Sequence, residues 1–455
     1  MTAQPLHQII RSGLRVAAVS LCLAGCAAPS STVGTAPHEA GLLPGHPRLG
    51  SALPAGHTRY DNAWIADAFV RLTHDLEWGQ RRPHLLRYEE PINIVMSGPG
   101  AAGYTSFVDA YLAELRTRAG VAIGRAPGSG NLLVRFVTSA DFRAQIPKHS
   151  CVVAPGRLEW ETFRRDPTKF GTRAFERQRS LQALTVFIPA NAEPYLIRTC
   201  LIEEIAQALG PANDLYELSF SIFNDDAVHL WPTALDYLML RVLYSPQMRS
   251  GLSRGETRRV ARSVLAQLNP IGERAPAQTR INPNDMREWS TKISAVFERS
   301  RSASSRRRSA NQALAIAIRR RPGSAFHCQS LVSLARVSRD EPAAELGFLE
   351  RAERICASVH GSDDLRIALI KLSRARALFR AGRPSAALGL TEGLESRLAA
   401  HGKAERLVSL YALQEAALRA IQQGSRSFAA RRLAAEWGAY ALGRGHPEVR
   451  RLIGN

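Results

Sequence analysis

The sequence predicts an α+β domain followed by an all-α domain built from repeated helix pairs. Three observations predict it. Strand-like runs alternate with amphipathic helical stripes between residues 61 and 252, no strand-like run follows Asp285, and Gly-terminated segments recur about every 41–45 residues in that second half. A chain of 455 residues allows two to four domains and more than one hydrophobic core, at roughly 100–200 residues per domain. At 45% hydrophobic and 22% charged, the composition excludes a disordered chain and a polytopic membrane protein.

The chain opens on an export pattern. Arg11 and Arg15 precede a short apolar segment over 16–23 that ends in small residues, too short for a permanent membrane span. Leu23-Ala24-Gly25-Cys26 resembles the bacterial lipobox. That resemblance implies a signal peptide over 1–25, a lipid on Cys26, and a protein anchored in the cell envelope. Ala27 after the cysteine, in place of Asp, implies the outer membrane, facing the periplasm. The other reading is a plain signal peptide with an incidental cysteine. Residues 26–58, rich in Pro, Gly, Ala and Ser, read as a tether with a reach on the order of 30 Å.

The first domain is placed over 59–268. Ile65, Ala66, Phe69, Leu72 and Leu76 lie on one helical stripe over 61–77, and a β-rich run over 91–97 is stopped by Gly98-Pro99-Gly100. A helix over 104–119 buries Val108, Tyr111, Leu112 and Leu115, with Gly120 as its C-cap. Strands follow over 121–123, 132–137 and 184–189, then helices over 194–209 and 233–244. Pro270, Pro276 and Pro283 mark a linker over 269–284.

From 285 to 455 helix pairs repeat: 325–337 with 343–359, 365–381 with 386–400, and 404–421 with 428–442. The units close at Val359-His360-Gly361, Ala400-His401-Gly402 and Gly445-His446-Pro447. With Ala377-Leu378-Phe379-Arg380-Ala381-Gly382, this region resembles tetratricopeptide repeats, which implies protein partners; a generic helical bundle is the other reading.

The formal charge of +20 is concentrated here, with 30 cations against 16 acids from Asp285 onward. Nucleic acid is the usual partner of so basic a chain, but an exported protein meets anionic envelope lipids and polymers instead. The triplets Arg306-Arg307-Arg308 and Arg319-Arg320-Arg321 read either as a solvated face or as a docking patch.

Cys151, Cys200, Cys328 and Cys356 remain in the exported body. In an oxidising compartment the pairs that stay within one domain are Cys151–Cys200 and Cys328–Cys356, with buried thiols as the other reading.

Chemistry, if present, sits in the run Cys200-Leu201-Ile202-Glu203-Glu204-Ile205-Ala206-Gln207-Ala208-Leu209-Gly210-Pro211-Ala212-Asn213-Asp214. It resembles H-E-x-x-H-x-x-G-x-x-H, the zinc signature of metzincin-type proteases, keeping Glu204 and Gly210 but placing Glu203, Gln207 and Asn213 where the histidines stand. Ser219 to Asp225 resembles the segment carrying the Met-turn, with Phe223 or Ile222 in place of Met. Residues 61–252 as a whole resemble a family of uncharacterised bacterial secreted proteins and lipoproteins filed as a domain of unknown function. The resemblance implies a zincin-like fold.

Glu203 and Gln207, four apart, share a helix face, and Gly210 lets the chain bend Asn213 back towards them. One carboxylate and two neutral amides do not make a Zn²⁺ donor set; they suit a hard cation with further ligands, for which Asp214, Asp225, Asp226 and His229 are candidates. As ordinary polar residues, Glu203, Glu204 and Gln207 would form a solvated face opposite Ile202, Ile205 and Leu209.

The expectation is therefore a zincin-like α+β domain and a tetratricopeptide-like domain that bind or scaffold, with no cofactor. The alternative is an envelope hydrolase with Glu204 as general base and a divalent metal.

Overall fold

The computed structural model describes residues 60–76, 81–146, 150–167, 175, 178–224, 226, 228–277, 283–298 and 300–453. The export signal, Cys26 and the tether lie outside the described residues, as does Asp225.

Helix α1 (Asn62–His74) starts where the Asp61 side chain accepts from the Trp64 amide, and it buries Ile65, Ala66, Phe69 and Leu72. Strand β1 (Ile92–Ser97) leads through a 3₁₀ turn to α2 (Thr105–Ala119), which Gly120 closes in the left-handed conformation. Then come β2 (Ile123–Arg125), β3 (Leu132–Val137), α3 (Ser139–Gln145), β4 (Val152–Pro155), α4 (Trp160–Arg165), β5 (Leu184–Pro189) and α5 (Pro194–Ala208). Helices α6 (Ala234–Leu243) and α7 (Arg254–Leu268) complete this region.

The strands form one five-stranded sheet in the order β2-β1-β3-β5-β4, with all neighbours parallel except β4, which runs antiparallel to β5 at the edge. The sequence reading of α+β is corrected to α/β with a mixed sheet, because helices alternate with mostly parallel strands. A parallel strand needs cover on both faces, and β5 has it along its whole length. Leu184, Val186 and Ile188 enter the main core, while Phe187 joins Phe142, Leu158 and Phe163 on the opposite face. Strand β4 was not predicted. Its four residues are too few to show a period, and its partner β5 lies about 30 residues away in sequence.

Helix α7 packs back on α1, where the buried His74 ring meets the Thr257 hydroxyl at 3.0 Å. Burial there pushes the His74 imidazole down to about 4. Asn269 and the 3₁₀ turn Pro270–Glu273 also hold to α1, with Asn62 Nδ2 donating to the Asn269 carbonyl at 3.0 Å and to Glu273 Oε1 at 2.6 Å.

The C-terminal region is all helical among the described residues: α8 (Pro283–Phe297), α9 (Ala303–Arg320), α10 (Ala325–Arg336), α11 (Pro342–His360), α12 (Leu365–Arg380), α13 (Pro384–Thr391), α14 (Leu394–Ala400), α15 (Ala404–Ala420), α16 (Gly424–Ala441) and α17 (Pro447–Ile453). Sequence neighbours pack on each other through most of this series. The helix predicted over 386–400 is broken at Glu392, whose backbone is extended at φ −61°, ψ 130°. Disulfides join Cys151 to Cys200 and Cys328 to Cys356. Among the described residues no helix is long and apolar enough to cross a membrane.

The two regions share apolar cores. Tyr195 of α5 packs with Leu365, Leu398, Ala404 and Leu407, and Tyr216 packs with Trp289, Ile293 and Phe326.

Candidate functional site

The motif run lies on α5 and the turn after it. Ile202, Ile205, Ala206 and Leu209 are buried, the apolar stripe the sequence predicts, and Cys200 and Leu201 are buried beside them. Glu204 is buried as well, at 7% exposure, and Glu203 and Gln207 are half-buried, so the three do not form an open solvated face. Gly210 turns the chain at φ +139°, and a Cβ there would stand 2.9 Å from Leu243 Cδ2 and 3.0 Å from the Leu86 carbonyl oxygen. Only glycine fits that bend.

The turn is fastened from outside by donors on other elements. The Tyr244 hydroxyl donates to the Leu209 carbonyl at 2.9 Å, Arg82 to the Gly210 carbonyl at 3.0 Å, and the Tyr111 hydroxyl to the Ile202 carbonyl at 3.2 Å. The bend carries Asn213 to α1, where its amide donates to the Arg71 carbonyl at 3.3 Å. Gln207 Nε2 donates to Asp214 Oδ1 at 3.4 Å. Both amides that stand in histidine positions are thus directed at protein acceptors. Among the described residues no group of three or more His, Cys, Asp or Glu side chains is arranged to hold a metal. The set does not fit Zn²⁺: its amide oxygens are weak ligands, and its amide nitrogens are spent as donors.

The segment after the motif folds as a tight turn about Asp236. The Ser221 hydroxyl donates to that carboxylate, as do the amides of Ile222 at 3.1 Å and Thr233 at 2.7 Å, and the Thr233 hydroxyl completes a capping box on α6. Burial still lifts the Asp236 carboxyl to about 6 against these hydrogen bonds. Phe223 and Ile222, the two residues that the resemblance sets against the Met-turn methionine, are both buried in the main core.

Of the further ligand candidates named above, Asp226 is engaged in an ion pair and His229 is buried beside Phe220. Asp226 pairs with Arg366 of α12 at 2.9 Å, and Arg366 also reaches Asp364 at 3.2 Å and the Ser219 carbonyl. Burial lifts the Asp226 carboxyl, while at Arg366 the attraction of Asp226 and Asp364 outweighs burial and keeps the guanidinium charged. Around Phe220, just beside this pair, lie three imidazoles. The ring centroids are 5.9 Å from His229 and 5.6 Å from His360, and His229 and His401 are 6.1 Å apart. Burial, followed by Arg366, His401 and Lys403, holds the His229 imidazole well below its ordinary value.

This junction between the regions was missed by the sequence reading. Its signal was present, because His360 and His401 are the very residues that mark the repeat period. Gly402 is fixed by the same junction, since a Cβ there would stand 1.9 Å from Trp231 Nε1, at φ +65°. Nearby, Arg198 of α5 donates to the Tyr440 carbonyl at 2.7 Å and lies over the Tyr440 ring at 3.9 Å.

No curated protein matches this chain. Residues 62–263, most of the α/β region, match the model of a family described as a protein of unknown function (DUF2927).

Proposed function

We propose that this is a lipid-anchored cell-envelope protein, held at the outer membrane and facing the periplasm, whose α/β region is a non-catalytic zincin-like scaffold. Its tetratricopeptide-like helices bind protein partners, and its basic surface meets anionic envelope lipids or polymers, not nucleic acid. The observation that carries the scaffold reading is the engagement of Gln207 with Asp214 and of Asn213 with the Arg71 carbonyl. The motif helix following a parallel strand, with an antiparallel edge strand alongside, supports the zincin-like part. The docking of Tyr195 and Arg198 on the C-terminal helices supports the use of α5 as a platform.

Metal analysis of the purified protein tests the scaffold. The expected result is no stoichiometric zinc. One equivalent of tightly held zinc, lost on Glu203→Ala or Gln207→Ala, would promote the alternative of a metal-dependent hydrolase with Glu204 as general base.

The anchor is tested separately by fractionation. Cys26→Ala is expected to move the protein from the membrane fraction to the soluble periplasm, and an unchanged membrane fraction would remove the anchor from the proposal.

A further inference from the structure

The helices of the C-terminal region line a cavity of about 230 Å³, with Tyr216, Ser219, Asp226 and Val228 of the α/β region on one side. Five arginines line it, Arg336, Arg339, Arg366, Arg376 and Arg406, against two acids, Asp226 and Glu345. Both acids are already taken. Asp226 neutralises Arg366, and Glu345, itself 4% exposed, pairs with Arg380.

Three guanidiniums remain under-compensated. Arg339 and Arg376 have no ion pair among the described residues. Arg376 Nη2 is buried without a hydrogen-bond partner. Arg406 has only its sequence neighbour Glu405, at 3.4 Å, and neither Arg406 Nε nor the Glu405 oxygens form a hydrogen bond there. Burial, followed by repulsion from Arg406, Arg339 and Arg380, pulls the Arg376 guanidinium down to about 9. An arginine does not answer such a pull by losing its proton, so the charge stays and its cost is borne by the fold. Clustered like charges facing one small space are the arrangement of an anion receptor, and a guanidinium fork suits carboxylate and phosphate alike. The rest of the wall joins an apolar patch of Val332, Leu349, Leu369 and Ile370 to the polar side chains of Ser294, Gln329, Ser333 and Ser373.

We propose that this cavity binds a small organic anion, a carboxylate or phosphate ester with an apolar portion, through Arg339, Arg376 and Arg406. The inference goes beyond the scaffold reading and holds whether or not the α/β region is zincin-like. The cavity volume and its position between the two regions suit a free solute of fragment size better than a two-chain lipid.

The test is calorimetric titration of the full-length protein at constant ionic strength with phenyl phosphate, inorganic phosphate and benzyl alcohol. Phenyl phosphate is expected to bind with one-to-one stoichiometry and at least about tenfold more tightly than inorganic phosphate, because it also uses the apolar patch, and benzyl alcohol is expected not to bind. Arg376→Gln should weaken phenyl phosphate at least about tenfold, while raising Tm of the protein without ligand, since it removes an under-compensated charge. Exposed Arg319→Gln should change neither. Arg339→Gln gives the same affinity readout if Arg376→Gln fails to fold. Absence of saturable phenyl phosphate binding, or binding unchanged by both cavity substitutions, would overturn the proposal.

Discussion

Arg366→Met is expected to cost about 3–5 kcal/mol, the range for breaking a buried ion pair by removing one partner. Arg366, Asp226 and Asp364 have side-chain exposures of 10%, 8% and 1%. The substitution keeps an unbranched stem, shorter than that of arginine, but leaves two buried carboxylates without their principal cation and the Ser219 carbonyl without its donor. Lys403 is close enough to Asp226 to feel its charge, but burial already pulls that ammonium down to about 8, so it is a poor replacement. The loss falls on the junction and not on either core, and the helical region should separate from the α/β region before either unfolds. The measurement is urea denaturation followed by two probes, far-ultraviolet dichroism for helix content and near-ultraviolet dichroism for the packing of the aromatic side chains. Adding Asp226→Asn should restore part of the loss, because an uncompensated charge is removed with it. A cost below about 1 kcal/mol would mean that the ion pair does not hold the two regions together.

What was legible in the sequence was what local chemistry decides. The α2 helix and its Gly120 cap follow from apolar spacing and one residue's backbone freedom, and both are where the sequence put them. The capping box at Thr233 and Asp236 is equally local. Strand β4 was invisible because its existence depends on β5, across a long excursion that four residues cannot announce. The motif was read correctly as a helix followed by a glycine bend. The destination of Asn213 was not legible, because its spacing says only that it can return towards α5, while the structure gives its amide to α1.

The basic residues illustrate the same limit. Consecutive arginines catch the eye, yet Arg307 of the first triplet is a strut, tied to Asp340 at 3.2 Å and to Glu341. Arg339, Arg376 and Arg406 are scattered one to a repeat and are brought to one cavity only by the stacking of the helices. Arg339 lies in the turn after α10, Arg376 near the end of α12 and Arg406 in the first turn of α15, so their convergence comes from the stacking of the helices and not from equivalent places in the repeat.

The Cys151–Cys200 bond should contribute about 4 kcal/mol, with the exact apportionment between entropy and enthalpy dependent on the model used. The cysteines are 49 residues apart in sequence, and the bond ties the residue before β4 to the middle of α5. The chain between them has to return from the edge strand to β5 and then enter the helix, so the bond removes much of the freedom of the unfolded loop. Cys328–Cys356 spans 28 residues and joins two helices that already pack on each other, so loop closure gives it about 0.5 kcal/mol less. Cys151→Ala with Cys200→Ala is therefore expected to lower stability more than Cys328→Ala with Cys356→Ala, measured by denaturation of the oxidised proteins. The pairing itself is checked by alkylating the oxidised, denatured protein before and after reduction. Protected thiols at Cys151 and Cys200 before reduction, and their appearance after it, are the expected result, whereas labelling of both before reduction would show that edge strand and motif helix are held by packing alone.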